Sequence, residues 1–280
     1  MNKEILIICR GGGDLATGIV HRLFRAGYQV LILETAEPAA IRRQVSFCEA
    51  VYEGTATVEG VTAERIYTAK KQAVEEVLQR GRIPLLVDPD GRSIEVLKPD
   101  VVVDAIIAKK NLGTYKEMAP LVIGIGPGFV AGKDVHLVVE SMRGHNLARI
   151  LETGSALANT GIPGNIGGYT KERVIHAAAE GYMKNLHQIG DVVQKGEEIA
   201  RIYEQMSPEG VFSGRFVSVE ATIPGVLRGL IREGYHFQKG FKIADIDPRE
   251  SELANCFTIS DKASSIGGSV LEAVCRYVNG

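Results

Sequence analysis

At 280 residues, with 45% hydrophobic and 24% charged residues, the chain has the make-up of a globular protein of one large or two ordinary domains. A net charge of −2 supplies no basic face for a nucleic-acid backbone, and four scattered cysteines without a C-x-x-C pair suit reduced thiols rather than a zinc site or a disulfide scaffold. No segment reaches the ~20 uninterrupted apolar residues of a membrane span, and the first apolar run leaves no room for a signal peptide; a cytoplasmic protein is expected, with neither nucleic acid nor membrane as partner.

The first run, Ile5–Cys9, reads as a buried parallel strand. It enters a glycine turn, Arg10-Gly11-Gly12-Gly13-Asp14-Leu15-Ala16, and then an amphipathic helix with Leu15, Ile19, Leu23 and Phe24 on one face. The glycines fall as G-x-G-x-x-A, a variant of the dinucleotide fingerprint, in which backbone N–H groups and a helix N-terminus approach a phosphate. A second strand, Gln29–Leu33, is followed by Glu34, 23 residues after Gly11 and in position for ribose hydroxyls. The alternative is a turn whose glycines only reverse the chain.

Val45–Tyr52 fits strand or loop, and the Arg42–Arg43 pair before it suits a phosphate or a solvated charge run. Cys48 reads as a small core residue, with sulfur donor or metal contact as the other option. Lys70–Arg80 has helical spacing, while Ile83–Val87, Val101–Ile107 and Leu121–Ile125 read as further strands. This alternation predicts a Rossmann-like parallel sheet over residues 1–165, with ligands at the carboxyl ends of its strands. Asp104 lies inside an apolar run before Lys109, Lys110 and Asn111; it either meets backbone donors or faces a ligand. The loop carrying Gly124, Gly126 and Gly128 either approaches a second part of an extended ligand or is a compact turn.

Residues 166–250 follow another rule. Gly181–Ile202 aligns with Gly225–Ile246 at an offset of 44 residues, with nine of 22 positions identical, an internal duplication. Short strands joined by glycine turns are implied, resembling the barrel-sandwich hybrid of biotinyl and lipoyl carriers. Such carriers modify a lysine on the hairpin linking the halves, but Arg201–Ala221 contains none, so biotin and lipoate are not expected. Residues 251–280 read as a helical tail packing back on the first domain.

The six histidines form no H-x-x-x-H or H-E-x-x-H pattern, and there is neither a G-x-S-x-G elbow nor a P-loop. Asp134, His136 and Glu140 cluster ahead of Arg143-Gly144-His145-Asn146, as an anion contact or as a solvated strand edge. No catalytic residue and no metal ligand is expected.

Several blocks together, Arg10–Gly18, Arg43–Tyr52, Asp104–Asn111, Ile123–Phe129, Arg143–Leu147, Gly161–Gly164 and Ile243–Arg249, resemble the YqeB-like accessory proteins of selenium-dependent molybdenum hydroxylases. The resemblance spans nearly the whole chain; Gly12 stands where alanine is common. It implies a maturation role, with a molybdopterin dinucleotide as the long anionic ligand and a molybdenum hydroxylase as the partner. Combined with the residue reading, it nominates Arg10, Gly11, Gly12, Gly13, Asp14, Leu15, Glu34, Arg43, Asp104, Lys109, Gly124, Gly126 and Gly128 as cofactor-binding residues. The rival readings are an NAD-dependent oxidoreductase, for which no proton donor is identifiable, and a non-catalytic interaction protein.

Overall fold

Apolar runs long enough to be buried on both faces become the central strands of a sheet. The structure, a computed structural model, describes residues 5–159, 161 and 164–280; residues 162 and 163 of the 161–164 block lie outside this set. In chain order the first elements are β1 (Leu6–Arg10), α1 (Asp14–Arg25), β2 (Gln29–Glu34), α2 (Ala50–Glu53), β3 (Thr55–Val58), β4 (Val61–Ile66) and α3 (Lys71–Gln79). They are followed by β5 (Ile83–Val87), α4 (Arg92–Leu97), β6 (Val101–Asp104), β7 (Leu121–Ile125), β8 (Leu137–Val139) and β9 (Ile150–Leu151). Among the described residues these strands form one nine-stranded sheet in the order β3-β4-β5-β2-β1-β6-β7-β8-β9.

The contacts divide the chain into two units. The first comprises residues 1–38, 45–160 and 259–280, and the second residues 39–44 and 161–258. In the first unit, alternate strand residues feed two cores. Ile7, Cys9, Ile32, Val103 and Ile123 pack under Ile19, Leu23, Ile266 and Val270, whereas Ile8, Leu31, Val102 and Val122 pack with Val74, Val77, Ile94 and Phe129. The Ile266 and Val270 side chains belong to α5 (Asp261–Asn279), which begins at a Ser260 cap whose side chain accepts from the Ala263 N–H.

The second unit holds β10 (Val174–His176), β11 (Gly181–Asn185), β12 (Val192–Val193), β13 (Glu198–Met206), β14 (Phe212–Glu220), β15 (Gly225–Leu230), β16 (His236–Phe237) and β17 (Lys242–Asp247). Adding the 44-residue offset to the starts of β11, β12 and β13 gives those of β15, β16 and β17. The copies exchange their short middle strands: β12 pairs with β15, and β16 with β11. Two four-stranded sheets result, ordered β10-β17-β15-β12 and β14-β13-β11-β16. Their shared core includes Met183, Val193, Ile199, Val226, Leu230 and Ile243.

The expected fold class, a Rossmann-like parallel sheet plus a barrel-sandwich-hybrid-like domain, is corrected. The chain is a mixed α/β protein with a large mixed sheet, because antiparallel strands close both of its edges. β3 pairs antiparallel with β4, and β9 with β8. These edge strands escaped the apolar-run criterion because they are short and half-exposed; β3 reads Thr-Ala-Thr-Val and buries only Val58. The Val45–Tyr52 segment is neither strand nor extended loop, but two short 3-10 turns leading into α2.

Candidate functional site

The glycine turn joins β1 to α1 at the carboxyl edge of the sheet, and its three glycines meet different surroundings. Gly11 has φ +100°, and a Cβ on it would lie 2.9 Å from the Ala105 carbonyl oxygen, so only glycine fits without strain. A Cβ on Gly12 would press on the Cys48 backbone at 3.1 Å. The Gly12 carbonyl accepts from the Cys48 N–H at 2.8 Å and from the Thr17 hydroxyl at 3.2 Å. Thr17 Oγ1 in turn accepts from the Phe47 N–H at 2.9 Å, which ties this segment to the turn. Gly13 is the N-cap of α1, with φ −67°, and as a glycine it has no side chain with which to cap the helix. A Cβ on Gly13 would meet nothing within 4 Å. The turn therefore has a packed half, Gly11–Gly12, and an open half that leads into Asp14 and Leu15, both partly exposed.

Glu34 folds back onto this turn. Its Oε2 accepts from the Gly12 N–H and its Oε1 from the Thr35 N–H, both at 2.8 Å. Burial raises its carboxyl above the usual range, against the opposing pull of these two bonds. The donor that Gly12 would turn toward a phosphate is thus already held by a carboxylate.

Arg10 and Asp104 meet in a buried pair. Arg10 Nη1 lies 3.4 Å from Asp104 Oδ2 and also donates to the Thr114 hydroxyl, while Nη2 donates to the Pro89 carbonyl at 3.2 Å and the Leu112 carbonyl at 3.3 Å. Asp104 further accepts from the Thr114 hydroxyl at 2.5 Å and the Ile106 N–H at 3.1 Å. Burial raises the Asp104 carboxyl, partly offset by Thr114, Arg10 and Ile106. Of the two roles open to Asp104, the structure places it with internal donors. Lys109 is exposed, at φ +63°, on the loop that this pair anchors.

The second glycine loop is accounted for by packing. A Cβ on Gly124 would enter the Phe129 ring at 2.5 Å, one on Gly126 would collide with Ser141 Oγ, and one on Gly128 would lie 2.9 Å from the Lys110 backbone. Arg43 belongs to the second unit, where its Nε donates to the Leu230 carbonyl at 2.8 Å. The Asp134, His136 and Glu140 cluster turns to its own backbone. Asp134 accepts from Val130 N–H at 2.9 Å, His136 Nδ1 from Val122 N–H at 3.0 Å, and Glu140 from the Met142 and Leu157 N–H groups at 2.7 and 2.8 Å. Cys48 is buried in the core, its thiol pushed up by burial and by Glu34, Glu49 and Asp14, the opposite of an activated thiolate. Among the described residues no group of three or more His, Cys, Asp or Glu is placed to hold a metal ion, and no helix is long and apolar enough to cross a membrane.

The helical tail that the sequence analysis packs back on the first domain is given its partner helix by the structure. α5 lies beside α1 and runs the same way: Gly18 meets Ala263, Arg22 donates to Ser264 Oγ at 2.5 Å, and Tyr28 Oη lies 3.5 Å from Cys275 Sγ. Both helix N-termini thus open at the same edge. There Arg143 forms a two-pronged bond to Asp261, at 2.6 and 2.8 Å, which holds the guanidinium strongly in its charged form. Beside Asp261, the half-buried Lys262 lies within the field of Asp14, Glu140 and Arg143. The readable signals were the Ser260 cap and the small residues Ala263 and Gly267, which mark a helix start and a close crossing.

No protein-family model matches the chain. It is 47% identical over 274 residues to YqeB, an uncharacterized protein of Escherichia coli (strain K12), covering 98% of this chain and 48% of that protein. The chain spans about half the length of the curated relative it matches. Among solved structures it is similar to the product-bound ectoine utilization protein EutE from Ruegeria pomeroyi, at 11% identity and TM-score 0.28 over 87% of this chain and 85% of that one. A succinylglutamate desuccinylase from Silicibacter sp. TM1040 matches at 12% identity and TM-score 0.26, over 88% and 85%. An aspartoacylase family protein from Mesorhizobium loti matches at 10% and 0.30, over 88% and 85%. Structural likeness at these scores carries no argument. The homology to YqeB is one of sequence, and that protein's name carries nothing about molybdenum or selenium.

Proposed function

We infer that the chain is an accessory protein in the maturation of a selenium-dependent molybdenum hydroxylase, and that it holds a nucleotide-containing cofactor such as a molybdopterin dinucleotide. The observation that carries this reading is the N-terminus of α1 at Gly13, an N-cap residue without a side chain, where the space a Cβ would take is clear. The choice of cofactor and partner comes from the resemblance of the sequence blocks to the YqeB-like accessory proteins; the homology to YqeB supports kinship alone.

The fit to a pyrophosphate is partial and specific. Gly13, Asp14 and Leu15 begin the helix, where backbone N–H groups and the helix dipole attract an anion. Gly11 and Gly12 shape the turn from behind, and Glu34 holds the Gly12 N–H, so the anion is received by the helix start and not by the whole turn. The Arg10–Asp104 pair keeps the neighbouring loop in place without reaching the ligand. Lys109 and the backbone around Gly126 and Gly128 flank the same strand ends and suit the far part of an extended ligand. The bound cofactor would bring the metal-binding pterin; the chain would bind, orient and shield it before handing it to the hydroxylase.

The test is native mass spectrometry of protein purified from a host that makes molybdenum cofactor, alongside Gly13→Val. At φ −67°, with clear space around it, Gly13→Val is expected to fold and to lose the ligand. A bound molybdopterin dinucleotide that persists in folded Gly13→Val would remove the helix start from the site. Bound NAD in its place would turn the assignment toward an oxidoreductase.

A further inference from the structure

A cavity of about 300 Å³ opens in the first unit along the second half of α1, away from the glycine turn. Its walls come from three stretches of chain: His21, Arg22 and Arg25 of α1, Glu59 of the β3–β4 turn, and Ile259 and Ser264 on either side of the start of α5. Arg22 and Arg25 stand nine and twelve residues beyond Gly13, roughly 13–18 Å along the helix axis. Bonds within the wall hold it in place. Arg22 Nη2 donates to Ser264 Oγ at 2.5 Å, and Glu59 Oε1 accepts from the Ile259 N–H at 2.8 Å.

Basic residues in a last helical turn complement the helix dipole, and that alone makes no site. Here the two guanidinium groups are three residues apart, so they share one face of α1 and one cavity. Other arginines of this unit find carboxylates: Arg80 and Arg82 share Glu64, Arg143 takes Asp261, and Arg276 takes Glu152. Among the described residues Arg22 has only the Ser264 hydroxyl, and Arg25 has neither an ion pair nor a side-chain hydrogen bond. Beside them His21 is 8% exposed, and its Nε2 makes only a long contact, 3.4 Å, with the Glu59 carbonyl.

We propose that this cavity binds a small oxyanion-bearing metabolite, a phosphate monoester or a carboxylate, whose oxygens are held by Arg22 and Arg25 beside the imidazole of His21. Guanidinium groups donate paired N–H bonds to either kind of oxyanion, and unpaired ones have no carboxylate to be displaced first. The volume is at the low end for small-molecule pockets and suits a ligand well below a dinucleotide in size. This site is therefore separate from the start of α1 and does not depend on the cofactor reading. Because Arg22 is tethered to Ser264, an occupied cavity also ties α1 to the first turn of α5.

The experiment is calorimetric titration of the full chain with inorganic phosphate and with malonate. One of the two should bind with a Kd of about 1 mM or tighter. Arg22→Gln and Arg25→Gln, both at exposed positions, should melt as the wild type does and each weaken binding about tenfold, the worth of one charge-assisted bond. Arg92→Gln removes the same charge from an exposed position on α4 and should leave the affinity unchanged, as should Gly13→Val. Preference for phosphate assigns a phosphoryl ligand, and preference for malonate a carboxylate one. An equal loss in Arg92→Gln would mean diffuse attraction and overturn the site, as would binding that persists in the Arg22→Gln/Arg25→Gln double variant. Loss in Gly13→Val alone would move the anion to the start of α1, supporting the cofactor reading and overturning this one. No binding of either anion by the wild type also overturns it.

Discussion

Gly11 and Gly13 are two residues apart and answer to different demands. At Gly11 the backbone has φ +100° and the Ala105 carbonyl lies 2.9 Å from where a Cβ would sit, whereas Gly13 has an ordinary backbone and clear space. Gly11→Ala is therefore expected to cost about 1–3 kcal/mol of stability, the usual range for a forced backbone. Gly13→Ala should stay within about 0.5 kcal/mol of the wild type. Urea unfolding of the two variants decides this, and equal losses would refute the division of the turn. Glu34 offers a second test at this scale. Because burial raises its carboxyl, the folded protein holds that proton at a pH where the unfolded chain has released it. Its contribution to stability is present at low pH and is lost as pH rises from about 4.5 through the raised value. Glu34→Gln should flatten the stability profile across that interval, read from urea midpoints at pH 5 and pH 7. An unchanged slope would assign the dependence to other groups.

At the scale of elements, α1 and α5 cross in close contact through small residues. A Cβ on Gly267 would lie 2.6 Å from the Gly18 carbonyl oxygen, and one on Gly18 would lie 2.7 Å from the Ala263 Cβ. Gly267→Val should cost about 1–3 kcal/mol by overpacking. It should also make residues 259–280 the first to be cut in limited proteolysis, with a wild-type digestion pattern counting against a tight crossing.

The elements differ in how far they were legible in the sequence. β1, β2, β5 and β7 announced themselves as apolar runs because they are covered on both faces. β6 was expected to continue to Ile107, but it stops at Asp104, whose carboxylate takes the Ile106 N–H and turns the chain. The β3–β4 hairpin was missed because its signal is only the Glu59–Gly60 turn, where both residues have positive φ, 44° and 79°. Spacing located the glycine turn, yet it could not tell that Glu34 would close on Gly12 or that Lys262 would arrive from nearly 250 residues downstream. Those are outcomes of tertiary packing.

At the scale of the whole molecule, each unit has its own apolar core. Separate cores are expected to melt as separate cooperative blocks, so scanning calorimetry should give a calorimetric enthalpy larger than the van't Hoff value. A single two-state transition would contradict this. The 44-residue duplication was readable because its glycines, Gly190 with Gly234 and Gly196 with Gly240, occupy matching positive-φ turns. The exchange of middle strands between the copies has no counterpart in the residue pattern.

The pairing of α1 with α5 also has a consequence in time. Residues 14–25 leave the ribosome well before residues 261–279, the helix that covers their flank, which follow the entire repeat unit. Until then Ile19 and Leu23 lack the α5 side of their core, and the glycine turn stands without its second helix N-terminus. A nascent or truncated chain ending before residue 261 would display the turn without the helix that packs on α1, so the two helix starts come together only once α5 has been made.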